Sequence, residues 1–437
     1  MAGSQNENCC LLSGMTTEYS ARMTRYWLLS IFLAMLGAPV AFGQPTYDEI
    51  DQPPHNYRGR TPQDRFTKLK DELESGRMVL DHTNEKLFVV SLLKALDIPA
   101  TSQMLVFSTT SLQLRLITPS NPRAVYFTED LYLGYIPRGR IEIVSLDPEL
   151  GSIFYIFDIP RDGRPPRVER SDRCMNCHSG EETHYVPGLV LKSVVPGPSG
   201  GSLMAFRQEQ TGHGIPFAQR FGGWYVTGKH TITNHWGNIV GRLSPQGLAT
   251  NLIEPGKLFD FARYPVATSD MLAHLVLEHQ VGFANRVIEA SYRARTSLHA
   301  DHGQLSAEHA KELDDQARSL TRYLLFGDEV PLPTGGLDGD AAFKADFLRN
   351  RRPAANGVSL KDLDLRTRLF QHRCSYMIYS PVFEGLPSTM RQRIYQRLRE
   401  ALSEQKPSEE YAYLPSSEKR TIRTILKETV ADLPSGW

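Results

Sequence analysis

Cys174-Met175-Asn176-Cys177-His178 sets two thiols three positions apart and puts an imidazole directly after the second. The spacing suits one chemistry well. Two thiols separated by two residues can each add to a vinyl group on one edge of a porphyrin, giving two thioether bonds. The histidine that follows is then carried under the ring, where an imidazole nitrogen can bind iron as the proximal ligand. C-x-x-C-H is the attachment pattern of a c-type haem, so one covalent haem c on Cys174, Cys177 and His178 is the expectation. Two other uses of paired cysteines compete. A thioredoxin-like redox pair lacks its usual sequence setting here, and half of a zinc site needs two further thiolate or imidazole ligands at short spacing.

The second axial position decides the chemistry. Histidine or methionine there gives an electron carrier, and an open site admits peroxide, oxygen or nitrogen oxides. The densest stretch of candidates runs from Gly222 to Asn238 and holds Trp224, Tyr225, Lys229, His230, His235 and Trp236. His230 and His235 are five apart, so a regular strand or helix does not put both on one face, and one of them at most should meet the iron. Trp224 is expected against the porphyrin. His279 is the reserve ligand because it interrupts an apolar helical stripe, and His184, Met204 and His213 follow. For each, a hydrogen-bonded structural residue is the ordinary alternative. Arg173, with Arg167 and Arg170 before it, is placed to pair with propionates.

An export signal is expected upstream. Arg25 precedes a short apolar run from Tyr26 to Leu36, and Ala41-Phe42-Gly43 before Gln44 fits a small-x-small cleavage site. The run is too short for a comfortable span and Pro39 follows it, so cleavage with no remaining membrane span is expected. Residues before Met15 or Met23 read as upstream sequence, which removes Cys9 and Cys10. Haem attachment to this motif takes place beyond the cytoplasmic membrane, so a periplasmic or otherwise exported protein is the matching expectation. Of the remaining cysteines, Cys374 stands alone in an apolar context and reads as a buried structural thiol.

Acidic and basic residues balance at 49 each, and nothing in that charge points to nucleic acid or an anionic membrane surface. The expected organisation is α+β. Residues 1–43 form the upstream sequence and signal, 44–165 a mixed domain with antiparallel strands, 166–262 the haem-attachment region, and 263–437 a mainly helical domain. Helical periodicity marks 63–77 and 85–96. Alternation marks strands at 112–116, 131–133, 141–143 and 152–158, with turns at Pro137-Arg138-Gly139 and Asp147 to Gly151. From Pro187 to Ser244 the chain is rich in Gly and Pro, with strand-like pieces at 189–195 and 224–227, and suits lying over a flat cofactor. Ser269-Asp270 can cap a helix with the buried stripe Leu272, Val276, His279, Phe283, Val287 and Ala290. Further helices are expected at 306–326 and near 362–378, 388–403 and 417–431.

The pentapeptide resembles c-type cytochromes in general. The runs Pro122 to Phe127, Arg173 to His178 and Gly222 to Gly228 resemble large exported bacterial monohaem proteins of unassigned activity. The resemblance implies a periplasmic haem protein. A strand-rich region before the attachment site is also similar in element order to the cytochrome P460 type. Two functional classes follow: a monohaem electron carrier serving a redox partner protein, or a haem enzyme, peroxidase-like or acting on small nitrogen or oxygen species. A binding or sensory module built on haem is the third. Size favours a role beyond transfer alone, and the absence of a traceable catalytic acid or base favours the carrier.

Overall fold

Asp64 starts helix α1 (Arg65–Glu74) by accepting the backbone N–H groups of Phe66 and Thr67, and Asn84 starts α2 (Glu85–Ala95) by accepting that of Leu87. Both helices lie where the apolar spacing places them. The strands that follow are β1 (Met104–Val106), β2 (Arg123–Phe127), β3 (Leu131–Tyr135), β4 (Ile141–Asp147), β5 (Gly151–Phe157) and β6 (Glu169–Arg170). In this computed structural model residues 50–206, 212–405 and 408–437 are described. The expected export signal lies outside the described residues.

One helical turn, α3 (Met175–His178), comes next. The hairpin β7 (Val194–Pro196) and β8 (Ser202–Ala205), the short β9 (Trp224–Tyr225) and the hairpin β10 (Ile239–Ser244) and β11 (Gly247–Leu252) follow it. Six of these strands run as an antiparallel meander, and β9 joins at the far side of β1, giving the order β6-β5-β4-β3-β2-β1-β9. Both edges are therefore two-residue strands, too short to template pairing with another chain.

Register separates the two faces. Leu105, Ala124, Leu133, Ile143, Tyr155 and their strand neighbours two residues away share a fully buried face, with Tyr155 packed on Phe66 of α1 at 4.9 Å. Trp224, Arg123, Val125, Gly134, Glu142 and Phe154 share the other. Arg123, Val125, Glu142 and Val144 are only half-buried there. At Gly134 a Cβ would lie 2.5 Å from the Arg123 guanidinium, so glycine is what lets that side chain lie across the sheet to Glu142 at 2.7 Å.

The C-terminal half is helical: α4 (Met271–Ala300), α5 (Ala307–Leu324), α6 (Ala341–Leu348), α7 (Pro381–Glu384), α8 (Ser388–Ala401) and α9 (Ser416–Thr429). The α+β class thus holds, with the sheet in the N-terminal half. Asp270 caps α4 by accepting Leu272 N–H at 3.0 Å, and the stripe from Leu272 to Ala290 is buried. Ser269 ties the start of α4 to the β1–β9 edge, taking Leu105 N–H at 2.9 Å and donating to Tyr225 O at 2.6 Å. Near its other end Tyr292 donates to Leu150 O at the β4–β5 corner, so α4 spans the sheet. The hydrophobic core is one connected cluster that runs across the boundaries at 165 and 262. No helix among the described residues is long and apolar enough to cross a membrane.

Three expected elements differ. Residues 112–116 form turns, because no strand lies alongside to take their backbone; Leu112 and Leu114 stay exposed, and Leu116 N–H closes on Gln113 O. Residues 362–375 are irregular: the Asp364 side chain accepts Arg366 and Thr367 N–H, and Leu365 takes φ +61°, which stops a helix. The strand expected at 189–195 is confined to Val194–Pro196, since Asn285 occupies both polar backbone groups of Leu189.

Candidate functional site

Cys174 closes a short 3-10 turn and the next four residues form α3. Cys174, Cys177 and His178 stand at i, i+3 and i+4, which puts all three side chains on one side of a helical turn. Cys177 is exposed and Cys174 half-buried against the core, and the two are not joined as a disulfide. Burial pushes the Cys174 thiol above its ordinary range. The order of the turn follows from its ends: Ser179 N–H bonds Met175 O at 3.0 Å, and Thr183 Oγ1 donates to His178 O at 3.2 Å.

His178 is held from two directions. Its ring packs on Phe154 of β5 with centroids 4.5 Å apart, and its Nδ1 lies 2.9 Å from Gly188 O. A carbonyl oxygen can only accept, so Nδ1 carries the proton and Nε2 keeps its lone pair. Nε2 has no hydrogen-bond partner among the described residues. Burial lowers the His178 pKa to about 4, which keeps the imidazole neutral. A ligating histidine is usually oriented in this way, by its other ring nitrogen on a carbonyl.

The loop after the motif lies over the half-buried face of the sheet. It starts with His178 on Phe154 and reaches Lys192, whose carbonyl accepts the Trp224 indole N–H at 2.9 Å on the far edge. Arg123 and Glu142, between these points, act electrostatically on both Cys174 and His178. Helix α4 clamps the loop at two positions one turn apart. Asn285 takes Leu189 N–H at 2.7 Å and donates to Leu189 O at 2.8 Å, and Glu289 meets His184 Nδ1 at 2.5 Å.

The other expected site residues fall into separate places. His230 and His235 come together, with ring centroids 5.5 Å apart, because the segment between β9 and β10 is irregular. His235 continues to Phe221 and so to His274. Among the described residues no hydrogen bond or ring contact joins either to His178. Trp224 is buried on the same sheet face as Phe154 and stands edge-on to His274 at 5.4 Å. His279 is fully buried with both nitrogens occupied, Nδ1 on His213 at 2.9 Å and Nε2 on Ser375 at 2.7 Å. Arg170 is committed to the carbonyls of Tyr57 and Arg60. Arg173 and Arg167 are exposed, and Arg173 has no ion-pair partner among the described residues. Met204 is half-buried in β8, and Cys374 is fully buried as expected.

A cavity of about 690 Å³ borders the loop, lined among others by Ser108, Thr110, Glu182, His184, Leu191 and Lys192. Its size is within the usual range for a cofactor or small-molecule site. Cys174, Cys177 and His178 do not line it. The residues of the turn fit a haem c by type and placement: one exposed and one half-buried thiol and one imidazole of fixed tautomer on a single turn. They fit zinc poorly, since among the described residues no three His, Cys, Asp or Glu side chains are grouped to hold a metal ion. Phe154, Gly188 and Asn285 escaped the sequence reading. Their one outward signal is Pro187-Gly188, a turn ten residues past the histidine. No protein-family model, curated protein or solved structure matches the chain.

Proposed function

We propose that the protein is an exported redox protein carrying one covalent haem c on Cys174 and Cys177, with His178 as the iron's proximal ligand, and that it exchanges electrons with a partner protein. The observation that carries this reading is the His178 ring, whose Nδ1–H is fixed on Gly188 O while Nε2 stays without a partner on the same turn as both thiols. Haem, when bound, supplies an Fe(III)/Fe(II) couple. The chain's own residues bind it, orient the imidazole and cover it: Phe154 fixes the plane of the ring and α4 fixes the loop. Arg173, exposed beside the first thiol, is suited to a propionate. His230 and His235 are the residues to test as a further iron ligand; His279, the expected reserve, has both ring nitrogens engaged, on His213 and Ser375, and is not available for that role.

A haem enzyme is the second reading, and the cavity beside the loop favours it, because Glu182, His184 and Lys192 bring ionisable groups to a space large enough for small substrates. Mass spectrometry of the protein made with a haem-maturation system should show one haem that survives acid denaturation. An unmodified mass, or stoichiometric zinc, overturns the haem reading. Stopped-flow mixing with peroxide, nitric oxide and hydroxylamine separates carrier from enzyme. A carrier reacts slowly with all three, and a fast distinct intermediate followed by turnover establishes the enzyme.

A further inference from the structure

We infer that Asn285 of α4 is a positioning residue that sets the electron-donating strength of His178 through a single peptide group; this rests on the haem reading above. Gly188 C=O and Leu189 N–H are the two ends of one amide plane. At one end Asn285 Oδ1 accepts Leu189 N–H at 2.7 Å, and at the other the carbonyl receives His178 Nδ1–H at 2.9 Å. Asn285 Nδ2 donates to Leu189 O at 2.8 Å, so both ends of the side-chain amide are held by Leu189. The chain is thus Asn285 Oδ1, peptide 188–189, His178 Nδ1, with Nε2 at its end.

Hydrogen bonds in series polarise one another. A peptide whose N–H is engaged has a more basic carbonyl, and a more basic carbonyl draws more strongly on the imidazole Nδ1–H. The ring becomes a better donor at Nε2, which favours ferric over ferrous iron and lowers the reduction potential. The geometry around the relay leaves it little freedom. A Cβ on Gly188 would lie 2.8 Å from Asn285 Oδ1 and 2.8 Å from Thr183 Cβ, so residue 188 is glycine where the loop meets the helix. Gly188 N–H also bonds His178 O at 2.8 Å, so both backbone groups of Gly188 answer to the histidine. Asn285 stands in the middle of a buried helix that spans the sheet, which gives the relay a rigid base.

Two substitutions move the relay in opposite senses. Asn285→Ala removes the acceptor for Leu189 N–H, weakens the carbonyl and shifts the haem potential upward. Asn285→Asp keeps an acceptor and strengthens it with charge, shifting the potential downward although the bond to Leu189 O is lost. A packing role alone lowers stability in both variants without opposite potential shifts. The measurements are redox titration of the holoprotein and, on haem-free protein, exchange protection of the His178 Nδ1–H proton by NMR. Protection should fall in Asn285→Ala and persist in Asn285→Asp. If both variants that take up haem keep the parent potential, or shift it in the same direction, the relay is wrong while the haem reading stands. If the parent chain takes up no haem, the function above fails, and the proton measurement alone decides the relay.

Discussion

Gly188 shows how narrow the tolerances around His178 are. Gly188→Ala pushes a methyl group into Asn285 Oδ1 and Thr183 Cβ, and neither can retreat, because one is bonded to Leu189 and the other sits in the loop's own turn. The expected cost is about 1–3 kcal/mol, the usual penalty for overpacking a filled site. Urea unfolding should show that loss, and the haem yield should fall with it. Unchanged stability and yield mean that the loop can move away from α4. At this scale the sequence was informative where chemistry is local. Cys174, Cys177 and His178 lie within one helical turn, so spacing alone reports their shared face. Phe154 meets the histidine directly and Asn285 holds the adjoining Leu189, both from distant parts of the chain, and no pattern in a single sequence marks such a meeting. His230 and His235 show the converse: a spacing of five separates residues on a regular element, but between β9 and β10 the chain is not regular and the two rings meet.

Helix α4 carries polar residues through the core, and His279 on it has a consequence for acid stability. Its faces meet His213, Ser375, Tyr323 and the Arg286 charge. Burial first, then Arg286, lowers the His279 pKa from 6.5 to about 3, and His213 is lowered in the same direction by burial and by His279. Between these values the unfolded chain binds a proton that the folded chain refuses. The contribution to stability is therefore complete above about pH 6.5 and is lost progressively as pH falls towards about 3. Urea midpoints should drop between pH 7 and pH 4. His279→Gln, which keeps a partner for Ser375 and does not titrate, should flatten that slope without abolishing it, because His274 is lowered to about 3 as well. An equal slope in the variant overturns the assignment. The stripe that holds His279 was readable from its three-and-four spacing. The length of α4 and its burial on nearly every side over the first half were not, since they depend on what the sheet and the other helices supply.

Across the whole molecule, the sheet and the helical half are joined by side chains that neither half satisfies by itself. Gln103 beside β1 donates to Val266 O and Thr268 O, Tyr264 donates to Pro122 O, and Arg263 reaches Asn121. Lys361 adds a buried ion pair to these ties. Its ammonium is almost fully buried, pairs with Glu129 from the β2–β3 turn, donates to Phe347 O at 3.0 Å, and lies 4.5 Å over the Phe347 ring. Composition and periodicity carry no trace of this joint, which is why the sequence divides into segments while the core does not. Lys361→Met fills similar volume but leaves the Glu129 carboxylate facing an apolar neighbour. Removing one partner of a buried pair costs about 3–5 kcal/mol, and Glu129 keeps some solvent access, so a loss of about 3 kcal/mol is expected. Adding Glu129→Gln should recover part of it, because the unpaired charge is then gone. Residues 50–437 should melt in one calorimetric transition in the parent chain, and Lys361→Met should lower that transition as a unit. A variant that instead unfolds its helical half first, leaving the sheet and the His178 loop intact, means that the two halves are independent and that α4 is not the rigid base on which the histidine rests.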